Sequence, residues 1–382
     1  MRLALNGKGM KNSFRSHWHD FGREFLDGAT KPSFPALLGT LSVAIIIFLL
    51  FVILLTPDFL ATKGYGYFFG GPADNYAYLT SETLRISKTA QPQQKSIILM
   101  GASNIKEAVK AKYLERLLQD KTKQPITVYN LTAGGLFLWE EICLLDKIRN
   151  RFRGIVVLQI APARRLALDR AHLKGSITRH SRLAMYCPKF DEEMRLAGVS
   201  KPQWIGNYFL DFYKFFVARL PALLKNLVNG PVTWHAQNAQ NWRPPTQKEW
   251  KRSVDSIVKW QKTYHENRAI NFEVYRRLIR YLRKSGIEIA FLEVIRNPAA
   301  EAIIFAKPEV VKIYQEYQSD VIKFTQEMKI PYWDLAKFAN LKQEDFIDQV
   351  HLKKDKARRR YTAILATRIT DMLSTQKQFK EP

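Results

Sequence analysis

Five short apolar runs constrain the fold of this chain more than any other feature of its sequence. They are rich in β-branched residues, and helix-like stretches separate them. The runs are residues 96–100, 126–129, 154–160, 286–294 and 330–333. Strands that alternate with helices in this way indicate βαβ units and a parallel sheet. The sequence therefore predicts an α/β fold, a three-layer sandwich around a five-stranded, mainly parallel sheet.

The stretches between these runs favour helices. The predicted helices are residues 105–118, 136–149, 271–284, 308–328 and 353–373. The alternation breaks over residues 164–262, which are rich in aromatic residues and helical in places. Insertions of this size usually lie over the ends of the strands, where substrate-determining loops are found. We therefore expect a largely helical insertion close to the functional site.

An apolar segment near the N-terminus predicts a membrane anchor. Residues 35–55 include no charged side chain, and their length of 21 residues is enough to cross a bilayer as a helix. Basic residues are frequent before this segment and sparse after it, which predicts a cytoplasmic N-terminus. A cleaved signal peptide is the alternative, although the apolar run is longer than such peptides usually have.

This anchor divides the predicted chain into parts on the two sides of a cytoplasmic (inner) membrane. The parts are a cytoplasmic segment (1–34), the single transmembrane anchor (35–55), a linker (56–94), the α/β domain with its insertion (95–375) and a tail (376–382). The α/β domain is then periplasmic or extracellular.

The formal net charge of +25 predicts anionic partners. Outside a membrane these are lipid head groups and acidic envelope polymers, so nucleic acid is not an expected partner. A generally solvated basic surface is the alternative. Cys143 and Cys187 can pair in an oxidising compartment if their geometry allows it. Their spacing matches no metal site, and no cofactor is implied.

Two short motifs supply the groups needed for acyl transfer. Ser103 follows the first run at a strand-to-helix turn, where its own backbone amide is available to an oxyanion. Asp348 and His351 follow the fifth run, and their spacing lets both side chains face one direction. A serine nucleophile, a histidine base and an orienting carboxylate together indicate acyl transfer. Helix capping and solvation are the alternative roles for these residues.

The order of these motifs resembles that of the SGNH (GDSL-like) hydrolase superfamily. Gly101-Ala102-Ser103-Asn104 is similar to its first block, with alanine where aspartate is common, and Asp348-x-x-His351 is similar to its fifth. Asn130-Leu131-Thr132-Ala133-Gly134-Gly135 is similar to its second block. The resemblance implies that the Gly135 amide joins that of Ser103 in an oxyanion hole, with Gly134 as a further candidate.

The third block departs from the family pattern. The family has an oxyanion-binding asparagine after the third strand, whereas this chain continues with Ala161-Pro162-Ala163-Arg164-Arg165. Asn297, after the fourth run, is a candidate substitute.

Arginine forks suit phosphates and carboxylates, so Arg164, Arg165 and Arg170 are predicted to bind an anionic substrate, with a solvated loop or a lipid contact as the alternative.

The anchor, the insertion and the late Asp/His block also resemble the layout of DltD-like proteins (D-alanyl-lipoteichoic acid biosynthesis D proteins) and related envelope acylation proteins. This resemblance implies transfer from an acyl donor to an envelope polymer, beside a membrane-bound O-acyltransferase. Two other functions stay open. A membrane-anchored esterase would use the same residues, and the absent asparagine is compatible with a non-catalytic polymer-binding protein.

Overall fold

The computed structural model describes residues 34–54, 65–71, 74–91, 94–134, 136, 138–161, 208–232 and 246–378. The chain divides into two units, Met1–Phe59 and Leu60–Pro382. In the first unit the described residues form helix α1, Phe34–Leu54, which includes no charged residue. Its described large apolar side chains, at positions between 34 and 49, are all exposed, with Phe34 at 77%.

Among the residues that the structure describes, no helix has the length and apolar character of a membrane span. The anchor over residues 35–55 therefore stays a prediction from the sequence.

Five strands form the centre of the second unit. They are β1 Lys95–Gly101, β2 Thr127–Thr132, β3 Arg153–Ile160, β4 Ile287–Glu293 and β5 Tyr332–Trp333. Their order is β2-β1-β3-β4-β5, and every neighbouring pair is parallel. The predicted α/β fold with a five-stranded sheet is confirmed, and the sheet is parallel throughout. This strand order reverses direction between β1 and β3, the place where open α/β sheets bind their ligands.

Helices cover both faces of the sheet. In chain order the helices described in the second unit are α2 Asn75–Thr89, α3 Ser103–Ala108, α4 Ala111–Thr122, α5 Leu138–Ile148, α6 Tyr208–Asn229, α7 Gln247–Lys262, α8 Tyr264–Arg283, α9 Pro298–Phe305, α10 Pro308–Met328, α11 Ala336–Ala339 and α12 Asp355–Gln378. Short 3₁₀ turns lie at Tyr65–Phe68 and Gln343–Asp345.

Alternation along β1 shows how the sheet separates two cores, because successive side chains of a strand point to opposite faces. Ile98 and Met100 pack in one core with residues of α2, α5, α8 and α10. Ile97 and Leu99 pack in the other with residues of α3, α4 and α12. The central strands β1 and β3 are buried on both faces, as their nearly continuous apolar sequences require.

Helix boundaries differ most from the sequence prediction in two places. The single helix predicted over residues 105–118 is broken at Lys110, whose backbone amide donates to Thr362 Oγ1 of α12 at 3.1 Å. The helix predicted from residue 271 begins earlier, at Tyr264, which is fully buried. Tertiary contacts decide both boundaries.

Within the insertion the described residues include two helices, α6 and α7, and α7 packs against α9.

Gly154 is placed where β3 approaches β1 too closely for a side chain. Its φ is +141°, and an added Cβ would lie 2.0 Å from the carbonyl oxygen of Ser96. We expect Gly154→Ala to lower the free energy of unfolding by roughly 2 to 5 kcal/mol, because it adds steric overlap to backbone strain.

Gly286→Ala is the matched control. Its φ is +72°, but no heavy atom lies within 4 Å of an added Cβ, so only the backbone strain of about 1 kcal/mol applies. Urea unfolding of both variants measures the difference, and equal losses would contradict the steric explanation.

Candidate active site

The structure brings the three predicted catalytic residues into one hydrogen-bonded chain. His351 Nε2 lies 2.7 Å from Ser103 Oγ, although the two residues are 248 positions apart in sequence. His351 Nδ1 lies 2.6 Å from Asp348 Oδ2. An ionised carboxylate can only accept a hydrogen bond, so Nδ1 is assigned the proton and donates to Asp348. The unprotonated Nε2 then accepts from the serine hydroxyl. This is the arrangement in which a histidine acts as the base for a serine nucleophile.

Ser103 reaches this position because it is the first residue of α3, directly beyond the end of β1. Ala102 links the two elements in an extended conformation, with φ of −86°. The carbonyl of Ala102 accepts from the Lys106 amide at 3.2 Å, which starts the helix immediately after the strand. The turn therefore leaves Ser103 at the carboxyl edge of the sheet, where its side chain is only partly buried.

Asp348 and His351 lie in a closed loop, residues 345–353, which we name the acid–base loop. Asp348 Oδ1 accepts from the backbone amides of Val350 and His351, both at 2.9 Å. The Ile347 amide donates to the carbonyl of His351 at 2.9 Å, which closes the loop on itself. These bonds orient the carboxylate before it meets the imidazole ring.

Burial and hydrogen bonding shift the pKa of the Asp348 carboxyl in opposite directions. Burial raises its pKa, but the hydrogen bond and charge of His351 and the two backbone amides lower it, and the net pKa is below the ordinary aspartate value. Asp348 is therefore ionised at neutral pH, as an orienting carboxylate must be. The Asp348 side chain is 8% exposed and that of His351 is 18% exposed, so the histidine is the more accessible of the two.

Gln159 is a residue of this site that the sequence analysis missed. It lies in β3, is 2% exposed, and its Oε1 accepts from the Ala102 amide at 2.9 Å. The same side chain leaves no space beside Gly101, since an added Cβ there would lie 2.9 Å from Gln159 Oε1 and 2.3 Å from Ile105 Cγ2. Gln159 thus holds the peptide that precedes the nucleophile. A polar residue inside an apolar strand was the available signal.

Asn297 has both polar atoms of its side chain engaged with backbone. Its Nδ2 donates to the carbonyl of Asp348 at 3.1 Å, and its Oδ1 accepts from the Ala299 amide at 3.0 Å. The contacts place Asn297 against the acid–base loop, and its role as an oxyanion donor stays a prediction.

The other predicted site residues are only partly covered by the structure. Gly134 lies in the turn after β2, next to Ala133, whose amide donates to the Gly101 carbonyl at 3.0 Å. Gly135, Arg164, Arg165 and Arg170 lie outside the described residues, so their roles stay predictions.

Other sequence predictions are also only partly testable. Cys143 is buried in the core that includes α5, whereas Cys187 lies outside the described residues, and their pairing stays open. In the described part of the chain, no group of three His, Cys, Asp or Glu side chains is placed to hold a metal ion.

No protein-family model matches the chain, and no curated protein matches it either. The geometry of the site is therefore the basis for its proposed chemistry.

Loss of the Gln159 acceptor should affect the nucleophile turn. In Gln159→Leu the Ala102 amide loses its partner, which costs about 1 to 3 kcal/mol of stability, and Ser103 is no longer held in register with His351. We expect the variant to react more slowly with a fluorophosphonate probe, measured as the rate of covalent labelling. Gln159→Glu keeps an acceptor oxygen and is the matched control. Equal labelling rates in both variants would contradict the positioning role.

Proposed function

We propose that this protein is a membrane-anchored, extracytoplasmic SGNH-like enzyme that transfers an acyl group to an anionic envelope polymer through Ser103, His351 and Asp348. The hydrogen-bonded chain of these three side chains is the observation that supports the proposal, with distances of 2.7 and 2.6 Å. Their order along the sequence and their location at the carboxyl edge of a parallel sheet are consistent with the SGNH pattern.

The proposed reaction has two steps with Ser103 as the covalent carrier. His351 Nε2 takes the hydroxyl proton while Ser103 Oγ attacks the acyl carbonyl, and backbone amides of Ser103 and Gly135 stabilise the oxyanion. His351 then gives the proton to the leaving group of the donor. In the second step His351 takes a proton from a polymer hydroxyl, which attacks the acyl-serine, and the proton returns to Ser103 Oγ.

Two features support an anionic acceptor beside a membrane. The net charge of the chain is +25, and α7 displays an exposed basic face that includes Lys248, Lys251, Arg252 and Lys259. Such a surface concentrates anionic polymers or lipid head groups. The uncharged segment over residues 35–55 supports the anchor, and a membrane-bound O-acyltransferase is the partner expected for such an enzyme.

A membrane-anchored esterase is the second candidate, and the partial exposure of the site favours it. Ser103 is partly buried, and 18% of the His351 side chain is exposed. Water that reaches the acyl-serine would release the acyl group as an acid. The same triad then removes acyl groups from an envelope polymer instead of adding them.

Covalent labelling tests the nucleophile. In the 382-residue chain in detergent micelles, Ser103→Ala should abolish labelling by a fluorophosphonate, because the hydroxyl that His351 activates is absent. Ser374→Ala, at an exposed serine of α12, should label like the unchanged protein. Undiminished labelling of the Ser103 variant would show that another residue reacts with the probe and would contradict Ser103 as the nucleophile. Absence of labelling in the unchanged protein would favour a non-catalytic polymer-binding protein.

Partition of a preformed acyl-enzyme separates transfer from hydrolysis. The protein is acetylated with p-nitrophenyl acetate, and loss of the acetyl group is followed by intact mass with and without polyglycerol phosphate. A transferase should keep the acetyl group in water and deliver it to the polymer, since transfer requires that water be excluded. Rapid release as acetate, unaffected by the polymer, would assign the protein as an esterase.

A further inference from the structure

The backbone of the acid–base loop is held by a residue from a different part of the sheet. Asn297, between β4 and α9, donates from its backbone amide to the carbonyl of Gln349 at 2.8 Å. Its side-chain Nδ2 donates to the carbonyl of Asp348 at 3.1 Å. Two successive carbonyls of the loop therefore accept from one residue, which fixes both the position and the orientation of the Asp348 peptide.

Asn297 is itself fixed by the helix that follows it. It is the N-cap of α9, where its Oδ1 accepts from the Ala299 amide and Pro298 occupies the first helical position. A cap of this kind holds the side chain in one rotamer. Because Oδ1 is committed to the cap, Nδ2 is directed to the loop.

A buried ion pair holds the backbone just before Asn297. Arg296 donates to Glu293 Oε1 at 3.2 Å, and both side chains are at most 5% exposed. Glu293 Oε2 also accepts from Tyr317 at 2.6 Å and Tyr332 at 2.9 Å, which joins the end of β4 to α10 and β5. Arg296 donates in addition to the Tyr314 hydroxyl at 3.2 Å. The segment between β4 and Asn297 is thus anchored to two neighbouring elements, α10 and β5.

We propose that Asn297 is a positioning residue for the Asp348–His351 pair: it clamps the acid–base loop so that His351 Nε2 faces Ser103. The inference rests on the proposed function, because it assigns Asn297 a role in the reaction of the same triad. It gives the asparagine a task different from that of an oxyanion donor. Removal of the clamp should slow the chemical step and leave the affinity for a small acylating reagent unchanged.

Asn297→Ser separates the side-chain bond to the acid–base loop from the N-cap bond of α9. Serine is a good N-cap, so α9 keeps an acceptor, but its hydroxyl is too short to reach the Asp348 carbonyl. Asn226→Ser is the matched control, because both asparagines are 3% exposed and both donate to backbone carbonyls. Asn226 Nδ2 donates to the carbonyls of Gly66, Tyr67 and Phe69, which all lie outside the acid–base loop.

The kinetic test uses fluorophosphonate labelling of the whole chain in detergent micelles, analysed as a limiting inactivation rate and a half-saturating concentration. Asn297→Ser should lower the limiting rate about tenfold to a hundredfold, the range expected when a reacting group is misplaced, with an unchanged half-saturating concentration. Asn226→Ser should leave both values within about twofold. Equal limiting rates in the two variants, at equal unfolding temperatures, would overturn the proposal.

Hydrogen exchange of the acid–base loop tests the clamp without activity. The amides of Val350 and His351 donate to Asp348 Oδ1, so they should exchange slowly in the unchanged protein and in Asn226→Ser, and faster in Asn297→Ser. Unchanged exchange in Asn297→Ser would overturn the clamp. If the unchanged protein is not labelled at Ser103, the proposed function fails, while the exchange result still decides whether Asn297 holds the loop.

Asn297→Asp keeps the cap and the side-chain size without the Nδ2 donor. It replaces Asn297→Ser in both tests if the serine variant does not fold.

Discussion

The hydrogen bond between His351 Nε2 and Ser103 Oγ is the interaction on which the candidate function depends. It joins segments 248 residues apart at a distance of 2.7 Å. Neither segment can make it alone, because Ser103 is placed by the end of β1 and His351 by a loop beyond β5. A parallel sheet brings the carboxyl ends of all its strands to one edge, and that edge is where the two residues meet.

Two side-chain amides hydrogen-bond to the backbone segments that position Ser103 and His351. Gln159 accepts from the peptide before Ser103, and Asn297 donates to the peptide of Asp348. Each side chain is almost fully buried, and each of these hydrogen bonds is made to a backbone group. A buried amide left without its partner costs free energy, so these contacts favour one arrangement of the turn and the loop over others. The turn before the nucleophile and the loop of the base are thereby each held by one buried side-chain amide.

The secondary structure was predictable where local chemistry and burial agree. All five strands overlap the apolar runs that predicted them, and the central strands are apolar almost throughout because they are buried on both faces. The break at Lys110 was not predictable, since it depends on a hydrogen bond to Thr362 of α12. The sequence predicted Asn297 as an oxyanion donor from its place after the fourth run. Its contact with the acid–base loop was not predictable, since the Asp348 carbonyl that accepts from it is 51 positions away.

The sequence by itself determined the α/β class, the choice of Ser103, Asp348 and His351, and the uncharged segment that predicts an anchor. These follow from residue type and spacing along the chain. Only the tertiary structure decided that the three side chains form one hydrogen-bonded chain, and that Gln159 and Asn297 hold the backbone on either side of it. The physical reason is that hydrogen-bond geometry is set within a few tenths of an ångström by packing between segments distant in sequence.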